Sequence, residues 1–324
     1  MNILVLGGTQ FVGRAIVNRL VKNPNNIITL SNRGKSAPDL FKELELIKAD
    51  READDMQAIT SRDWDVVVDV SSFFPDSLAD LTKKLTGRIG KYIYISTCSV
   101  YRFGTDNPPY DETMTTLTCE KDQRTNPDMS TYGERKMACE IELLENHRLE
   151  KVIFRPSVIY GPHDLYDRHY HWLYRAKQDD KFIVPESPIG MANYTWLDDL
   201  TRLVEEASQK EMPNEIYNTA THDPLTLFDL VSAMKDVLGS RAEQVQWPVA
   251  KLELNSIKPG VDLPLWFGKA RLNMSTKRVT EDFSFDFETL DQTFKKWSLW
   301  YDNKGWPSPT KYLDLEKEKT LLSN

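Results

Sequence analysis

Tyr132 and Lys136 lie four residues apart in "STYGERKMACE", and on a helix that spacing puts both side chains on one face. A lysine ammonium beside a phenol favours the phenolate, lowering the phenol pKa by about 1 to 3 units from a reference near ~10. That brings a tyrosine toward acid/base work at neutral pH. Upstream, "YIYISTCSVY" reads as a buried strand that ends in hydroxyls at Ser96, Thr97 and Ser99. A tyrosine and a lysine at this spacing also pack together on ordinary helix surfaces. What distinguishes this pair is its order along the chain, after a hydroxyl-bearing strand end and a turn of nucleotide-binding type.

That turn is "GGTQFVGR", which follows the apolar run "NILVL" directly. Gly7 and Gly8 end a strand, and Gly13 stands where a side chain would hold helix and sheet apart. The amides around Thr9, Gln10, Phe11 and Val12 can then face a diphosphate at a helix N-terminus. Gln10 occupies the place of the usual middle glycine, so its Cβ must point away from the pyrophosphate. Glycine-rich turns of this kind also occur with no ligand.

The carboxylate that receives the NAD ribose about 20 residues further on is missing, and "TLSNRGK" offers Ser31, Asn32 and Arg33 in its place. An arginine beside a ribose suits a 2′-phosphate through paired, charge-assisted hydrogen bonds. NADP is therefore favoured over NAD, the alternative being a solvated turn arginine. "KADRED" and "DVSSFF" close two further strands. There Asp50, with Arg51 beside it, can accept from an adenine amino group, while Val70, Ser71 and Ser72 pass over the adenosine ribose. Lys136 can hydrogen-bond the nicotinamide ribose, so that one residue both positions the cofactor and tunes the base.

These groups need a frame. Apolar runs at 3–6, 27–30, 44–48, 65–70, 92–95, 152–154 and 216–218 read as strands, with helical stretches at 14–22, 76–85 and 132–146 between them. That alternation predicts an α/β fold, a doubly wound parallel Rossmann-type sheet with a smaller C-terminal substrate lobe. The 324 residues exceed a usual single core. Beyond residue 160 the texture changes, with seven of the eight tryptophans and frequent prolines. The expected division is a dinucleotide-binding domain over 1–161 and 196–222, and a discontinuous substrate lobe over 162–195 and 223–324. A last helix is expected over 290–300, and the charged tail "DLEKEKTLLSN" is expected to fray.

A formal net charge of −8 argues against a nucleic-acid partner, which normally demands a basic footprint. No apolar run is long enough for a membrane span, and residues 1–20 carry no signal-peptide pattern, so a cytoplasmic location is expected. The cysteines at 98, 119 and 139 have no metal-ligand spacing and are expected to be reduced.

Taken together, "GGTQFVGR", "STCSVY", "YGERK", "FRPSVIYGPHD" and "YTWLDDL" resemble the extended short-chain dehydrogenase/reductase family, the NAD(P)-dependent epimerase/dehydratase group that acts mostly on nucleotide sugars. The GGTxFxGR turn and "NRG" look like an atypical branch, parts of which are associated with RNA. The resemblance implies that Thr97 hydrogen-bonds the substrate hydroxyl or keto oxygen, that Tyr132 is the acid/base and that Lys136 is its partner. It also implies that Pro156 and Val158 lie near the nicotinamide carboxamide, that Tyr101 and Asn193 face the substrate, and that two copies pair as a homodimer.

In "GPHDLYDRHYHWLYR", His163, Arg168, His169 and His171 stand among aromatic residues. One reading is a polar substrate pocket in which Arg168 receives an anion and His163 or His169 shapes specificity. The other is a surface helix entry with Trp172 and Tyr174 inward. No metal site is expected, since no carboxylate or cysteine completes a ligand set. Two function classes follow. The first is an NAD(P)-dependent oxidoreductase or epimerase acting at a carbinol or keto carbon of a sugar-like or other small polar substrate. The second is a non-catalytic NADP-binding regulator or RNA-associated protein on the same fold.

Overall fold

The structure is a computed structural model that describes residues 1–51, 56–178, 180–186 and 190–323. In chain order the strands are β1 (Asn2–Leu6), β2 (Ile27–Asn32), β3 (Glu45–Lys48), β4 (Trp64–Asp69), β5 (Ile89–Ile95), β6 (Lys151–Pro156), β7 (Val158–Tyr160), β8 (Lys181–Pro185), β9 (Met191–Ala192), β10 (Tyr194–Trp196), β11 (Ile216–Thr219), β12 (Glu243–Trp247) and β13 (Arg271–Leu272). The helices are α1 (Phe11–Leu20), α2 (Gln57–Thr60), α3 (Pro75–Lys84), α4 (Tyr132–Leu144), α5 (Arg168–Gln178), α6 (Leu197–Gln209), α7 (Leu227–Leu238), α8 (Val249–Leu254), α9 (Lys277–Phe283), α10 (Leu290–Asp302) and α11 (Leu315–Ser323).

The chain divides into two compact units. Unit 1 comprises Met1–Val158, Leu197–Ala220 and Met274–Asp286. It is built on a seven-stranded sheet in the order β11-β6-β5-β4-β1-β2-β3, with every pairing parallel. The fold is thus α/β with a doubly wound sheet. The chain winds outward from β1 through β2 to β3, then returns to the other side of β1 at β4. Ligands of such sheets bind at the carboxyl ends of the strands beside that reversal, here the ends of β1 and β4.

The central strands are apolar on both faces because helices cover both. Ile3, Leu4, Val5 and Val67 are fully buried, as expected for a parallel sheet. On one side α1 packs with α6, where the Arg19 guanidinium reaches Asp198 at 2.6 Å, Glu205 at 3.2 Å and the Thr201 hydroxyl at 2.8 Å. On the other side α3 packs with α4.

The segment Met274–Asp286 was expected in the smaller lobe and instead belongs to unit 1. Phe283 of α9 closes against Phe154 and Tyr217 at ring distances of 6.0 and 5.1 Å, covering the edge of the sheet at β11.

Unit 2 comprises Ile159–Trp196, Thr221–Asn273 and Phe287–Asn324. It pairs β8 with β12 and β9 with β13, both parallel, and packs α7 against α5 and α10. Its centre is aromatic: Tyr160 meets His169, Trp196, Phe294 and Trp297, and Tyr170 stacks on Tyr301 at 3.8 Å. The tail expected to fray is the helix α11. It packs on β8 because Glu318, 1 % exposed, accepts the Ile183 amide at 2.6 Å and pairs with buried Arg175. Among the described residues no helix is long and apolar enough to cross a membrane.

Candidate active site

The strands of unit 1 end in a row of polar groups, and α4 brings two more over them. Tyr132 is the first residue of α4 and Lys136 lies one turn later. Gly133 sets how closely the helix approaches. A Cβ there would lie 2.2 Å from the Ser99 carbonyl oxygen, so the first turn of α4 rests directly on the segment after β5. Thr97 caps the short 3-10 turn Cys98–Val100, accepting the Ser99 amide at 3.1 Å and donating to the Ser99 hydroxyl at 3.2 Å. The close approach at Gly133 thus ties the position of Tyr132 to the Thr97–Ser99 turn.

Lys136 is 2 % exposed. Its ammonium donates to the Ile95 carbonyl at 2.7 Å and the Ser72 carbonyl at 3.1 Å, bridging the ends of β5 and β4. It also sits 4.1 Å from the ring centre of Tyr94. Burial pushes its pKa down to about 8, against the opposing influence of Cys139, Asp69 and Glu140. Phe73, 43 % exposed, lies 6.3 Å from the Tyr132 ring and 5.5 Å from the Lys136 ammonium.

The glycine turn has the geometry its sequence predicts. Gly7 and Gly8 hold φ of 108° and 95°, a region that disfavours side chains. A Cβ at Gly13 would lie 2.7 Å from the Gly8 amide nitrogen. Gln10 is extended and exposed at the N-cap of α1 with no side-chain cap, and no acidic residue follows in the first turn. The N–H groups at that end are therefore left for an anion, and the half-buried Thr9, Phe11 and Val12 complete the turn. The turn fits a nucleotide diphosphate. Asn32 staples the end of β2 to it, donating to the Gly7 carbonyl at 3.4 Å and accepting the Gly34 amide at 2.7 Å. Arg33 is exposed at the tip, and Asp50 is half-buried after β3.

The remaining residues read from the sequence divide between those the structure places at this sheet edge and those it commits elsewhere. Val70 packs against the glycine turn, 2.6 Å from where a Gly7 Cβ would stand. The Ser71 hydroxyl donates to the Leu6 carbonyl at 3.1 Å, joining β4 to β1. Pro156 ends β6, and Val158, half-buried, follows it.

Arg51 was expected at the cofactor, but its guanidinium is turned inward onto Asp69, Ser71 and Ser72. Tyr101, expected at the substrate, is 1 % exposed. Its hydroxyl donates to Asn218 at 2.7 Å and accepts from Arg155 at 3.0 Å, so it belongs to the framework.

The lobe residues lie in unit 2. His163, at φ 66°, meets Trp300 edge-on at 5.0 Å. Arg168, half-buried, opens α5 and lies over Tyr166 at 5.1 Å. Asn193 is 2 % exposed, near Asn273 at 3.5 Å. His169 and His171 are 0 % and 1 % exposed. Helix α5 is therefore largely interior, with Trp172 packed inward as the second reading expected; its placement on the surface and the pocket role for the buried His169 are corrected.

Sequence reasoning missed Gly133, Asp69 and the Arg155–Glu140 pair. Arg155 holds Glu140 with contacts of 2.6 to 3.1 Å; the two side chains are 2 % and 0 % exposed. Burial by itself lowers the pKa of that guanidinium, and Glu140 outweighs it, so the net shift is upward. A glycine just inside a predicted helix was the available signal for Gly133. No group of three or more His, Cys, Asp or Glu able to hold a metal occurs among the described residues.

The chain is similar to known proteins in sequence and in fold. The chain is 26% identical over 247 residues to the chloroplast stem-loop binding protein of 41 kDa b of Arabidopsis thaliana, covering 71% of this chain and 61% of that protein. It spans about three-fifths of the length of that curated relative. In fold it is similar to the UDP-N-acetylglucosamine 4-epimerase of Bacillus cereus, with a TM-score of 0.71 at 17% identity over 96% of this chain and 99% of the other. It is similarly close to the UDP-glucuronic acid 4-epimerase of Bacillus cereus, in complex with NAD, with a TM-score of 0.68 at 17% identity over 91% and 94%. Residues 3–220 match the NAD dependent epimerase/dehydratase family, and the chain belongs to that family.

Proposed function

We propose that the chain is an NAD(P)-dependent oxidoreductase or epimerase acting at a carbinol or keto carbon of a sugar-like or other small polar substrate, and that it works as a homodimer. The observation that carries this is the Lys136 ammonium, buried across the ends of β4 and β5 one helical turn from Tyr132. Tyr132 takes the proton of the substrate hydroxyl on oxidation and returns it on reduction, its phenolate favoured by Lys136. Thr97 orients that oxygen. A bound nicotinamide nucleotide supplies the hydride acceptor or donor. The α1 N-terminus with Gly7, Gly8 and Gly13 would hold its diphosphate and Asn32 and Asp50 the adenosine end. Arg33, exposed where no acid occupies the end of β2, favours the 2′-phosphate of NADP.

The test is to denature the purified protein, identify released nucleotide by mass, and screen ketosugars and small carbonyl compounds with NADPH and NADH. Tyr132→Phe is expected to lower turnover by about 10² to 10⁴-fold; activity that survives it removes the mechanism. Arg33→Ala should weaken NADPH binding more than NADH binding, and an equal loss for both rejects the NADP preference.

A second reading, an RNA-associated protein, has one observation in its favour: the similarity to the Arabidopsis stem-loop binding protein. The net charge of −8 opposes it, because counterion release needs a basic face. RNA hairpins should show no retention by the protein at near-physiological salt, and salt-resistant binding would restore this alternative.

A further inference from the structure

Asp69, the last residue of β4, is completely buried and carries more than its share of hydrogen bonds. Its carboxylate accepts the Ser71 and Ser72 amides, both at 3.0 Å, the Tyr92 hydroxyl at 2.6 Å and the Ser72 hydroxyl. Arg51, from the segment after β3, closes on the same carboxylate at 3.2 and 3.4 Å and on the Ser71 and Ser72 hydroxyls. Burial alone would push the Asp69 carboxyl up; the Arg51 guanidinium and the Ser72 and Tyr92 hydrogen bonds outweigh it and hold it below the usual range. Burial keeps the Tyr92 and Tyr94 phenols protonated, well above their ordinary pKa, so both are donors. Tyr94 gives its hydrogen to the Ser72 carbonyl at 3.0 Å, the same oxygen that receives the Lys136 ammonium.

These contacts form one continuous path. The carboxylate fixes the two amides that follow it and so fixes the direction of the Ser72 carbonyl, and that carbonyl holds the lysine. Asp69 is held ionised by Arg51 together with the hydrogen bonds it accepts, and losing the cation removes the largest of these influences. We infer that Arg51 is a positioning residue for Lys136, acting through Asp69 and the Ser72 carbonyl, and not a cofactor contact. The inference rests on the proposed role of Lys136. It makes the end of β3, where Asp50 would meet adenine, part of the support of the acid/base pair.

The groups facing Lys136 are Asp69 on β4, Arg51 after β3, Tyr94 on β5 and Cys139 and Glu140 on α4. Of these, Asp69 raises its pKa and Arg51 lowers it, Asp69 by more. Asp69→Asn therefore moves the lysine titration to lower pH. Arg51→Met, which leaves the buried Asp69 to take a proton, moves it the same way by less.

The test follows the 13Cε signal of Lys136 with pH in lysine-labelled protein, assigned by its loss in Lys136→Arg. The wild-type midpoint is expected near 8, falling in Asp69→Asn and less in Arg51→Met. An unchanged midpoint in both variants overturns the inference, whether or not the chain is an enzyme. With an active substrate in hand, a double-mutant cycle completes the test. Arg51→Met should lower kcat by about 10-fold or more while changing the NADPH dissociation constant little, and adding it to Asp69→Asn should cost almost nothing further. Arg51→Lys should restore part of kcat. Additive losses, or a loss seen mainly in NADPH affinity, would make Arg51 a direct cofactor contact and overturn the inference. Replacing both partners removes the buried charge altogether, so the double variant remains a folded reference if either single one does not. Should the midpoint move in a protein that turns over no carbonyl compound, the coupling stands and the catalytic reading falls.

Discussion

In the proposed mechanism Lys136 works only while it is charged, and its surroundings make that conditional. With its pKa pushed down to about 8, by burial first, the ammonium form is complete below that pH and lost as pH rises through it. Above it Tyr132 loses the charge that favours its phenolate, so turnover should fall on an alkaline limb near pH 8. Lys136→Arg keeps its charge to beyond pH ~12. In that variant kcat should be lower, because the longer planar head cannot take both carbonyls at the same points, and the limb should disappear from the kcat profile. A limb that persists unchanged belongs to another group. At this scale the proposed acid/base pair could be read from the sequence, but not the contacts that hold Lys136. Tyr132 and Lys136 are legible because their spacing is local. Asp69 reads as an ordinary strand end, since Arg51, after β3, and Tyr92, on β5, reach it from segments distant in sequence.

The elements that carry these residues show the same division between local and non-local information. All seven sheet strands overlap runs read from the sequence; the central ones are apolar because helices cover both faces, whereas the edge strand β3 (ELIK) is largely exposed. Strand ends are less legible. β5 begins at Ile89 rather than 92, running through Gly90, where a Cβ would lie 2.4 Å from the Asp65 carbonyl oxygen. Helix α1 begins at Phe11 rather than 14, because the uncapped Gln10 is no sequence signal for a start. The return of α9 to unit 1 and the docking of α11 on β8 depend on contacts distant in sequence, Phe283 with Tyr217 and Glu318 with Ile183. Gly133 is the element-scale residue with the sharpest consequence. In Gly133→Ala the new Cβ meets the Ser99 carbonyl at 2.2 Å, so the first turn of α4 must move by about 1 Å, a displacement that can cost about 10²-fold in rate. We expect kcat to fall by about that factor with the circular dichroism unchanged and bound nucleotide retained. Full activity in this variant would show that the close approach of α4 does not set the position of Tyr132.

Across the whole molecule the response to acid is governed by where the histidines lie. His169 and His171 are buried in unit 2, and burial drives both well below the ordinary imidazole pKa, with Arg168 and His222 adding to the effect at His169 and Arg175 at His171. In the unfolded chain each takes up a proton as pH falls below about 6.5, while in the folded chain neither does. Their contribution to stability is therefore complete above that pH and lost below it, at up to about 1.4 kcal/mol per pH unit for each group. The carboxyls of Asp164 and Asp167, raised by burial, act in the opposite sense, so the measurement must compare variants and not pH values alone. His169→Phe keeps a ring against Tyr160, which the histidine stacks at 4.8 Å, and removes one of three such protonations, those of His169, His171 and His222. The melting temperature of the wild type should drop between pH 6.5 and 5, and because His222, lowered to about 4 by burial, resists protonation over the same range, the drop should be about two-thirds as steep in His169→Phe. Hydrogen exchange in acid should rise first in α5 and the strands of unit 2. Equal slopes in the two proteins would mean that the acid sensitivity lies outside this aromatic core.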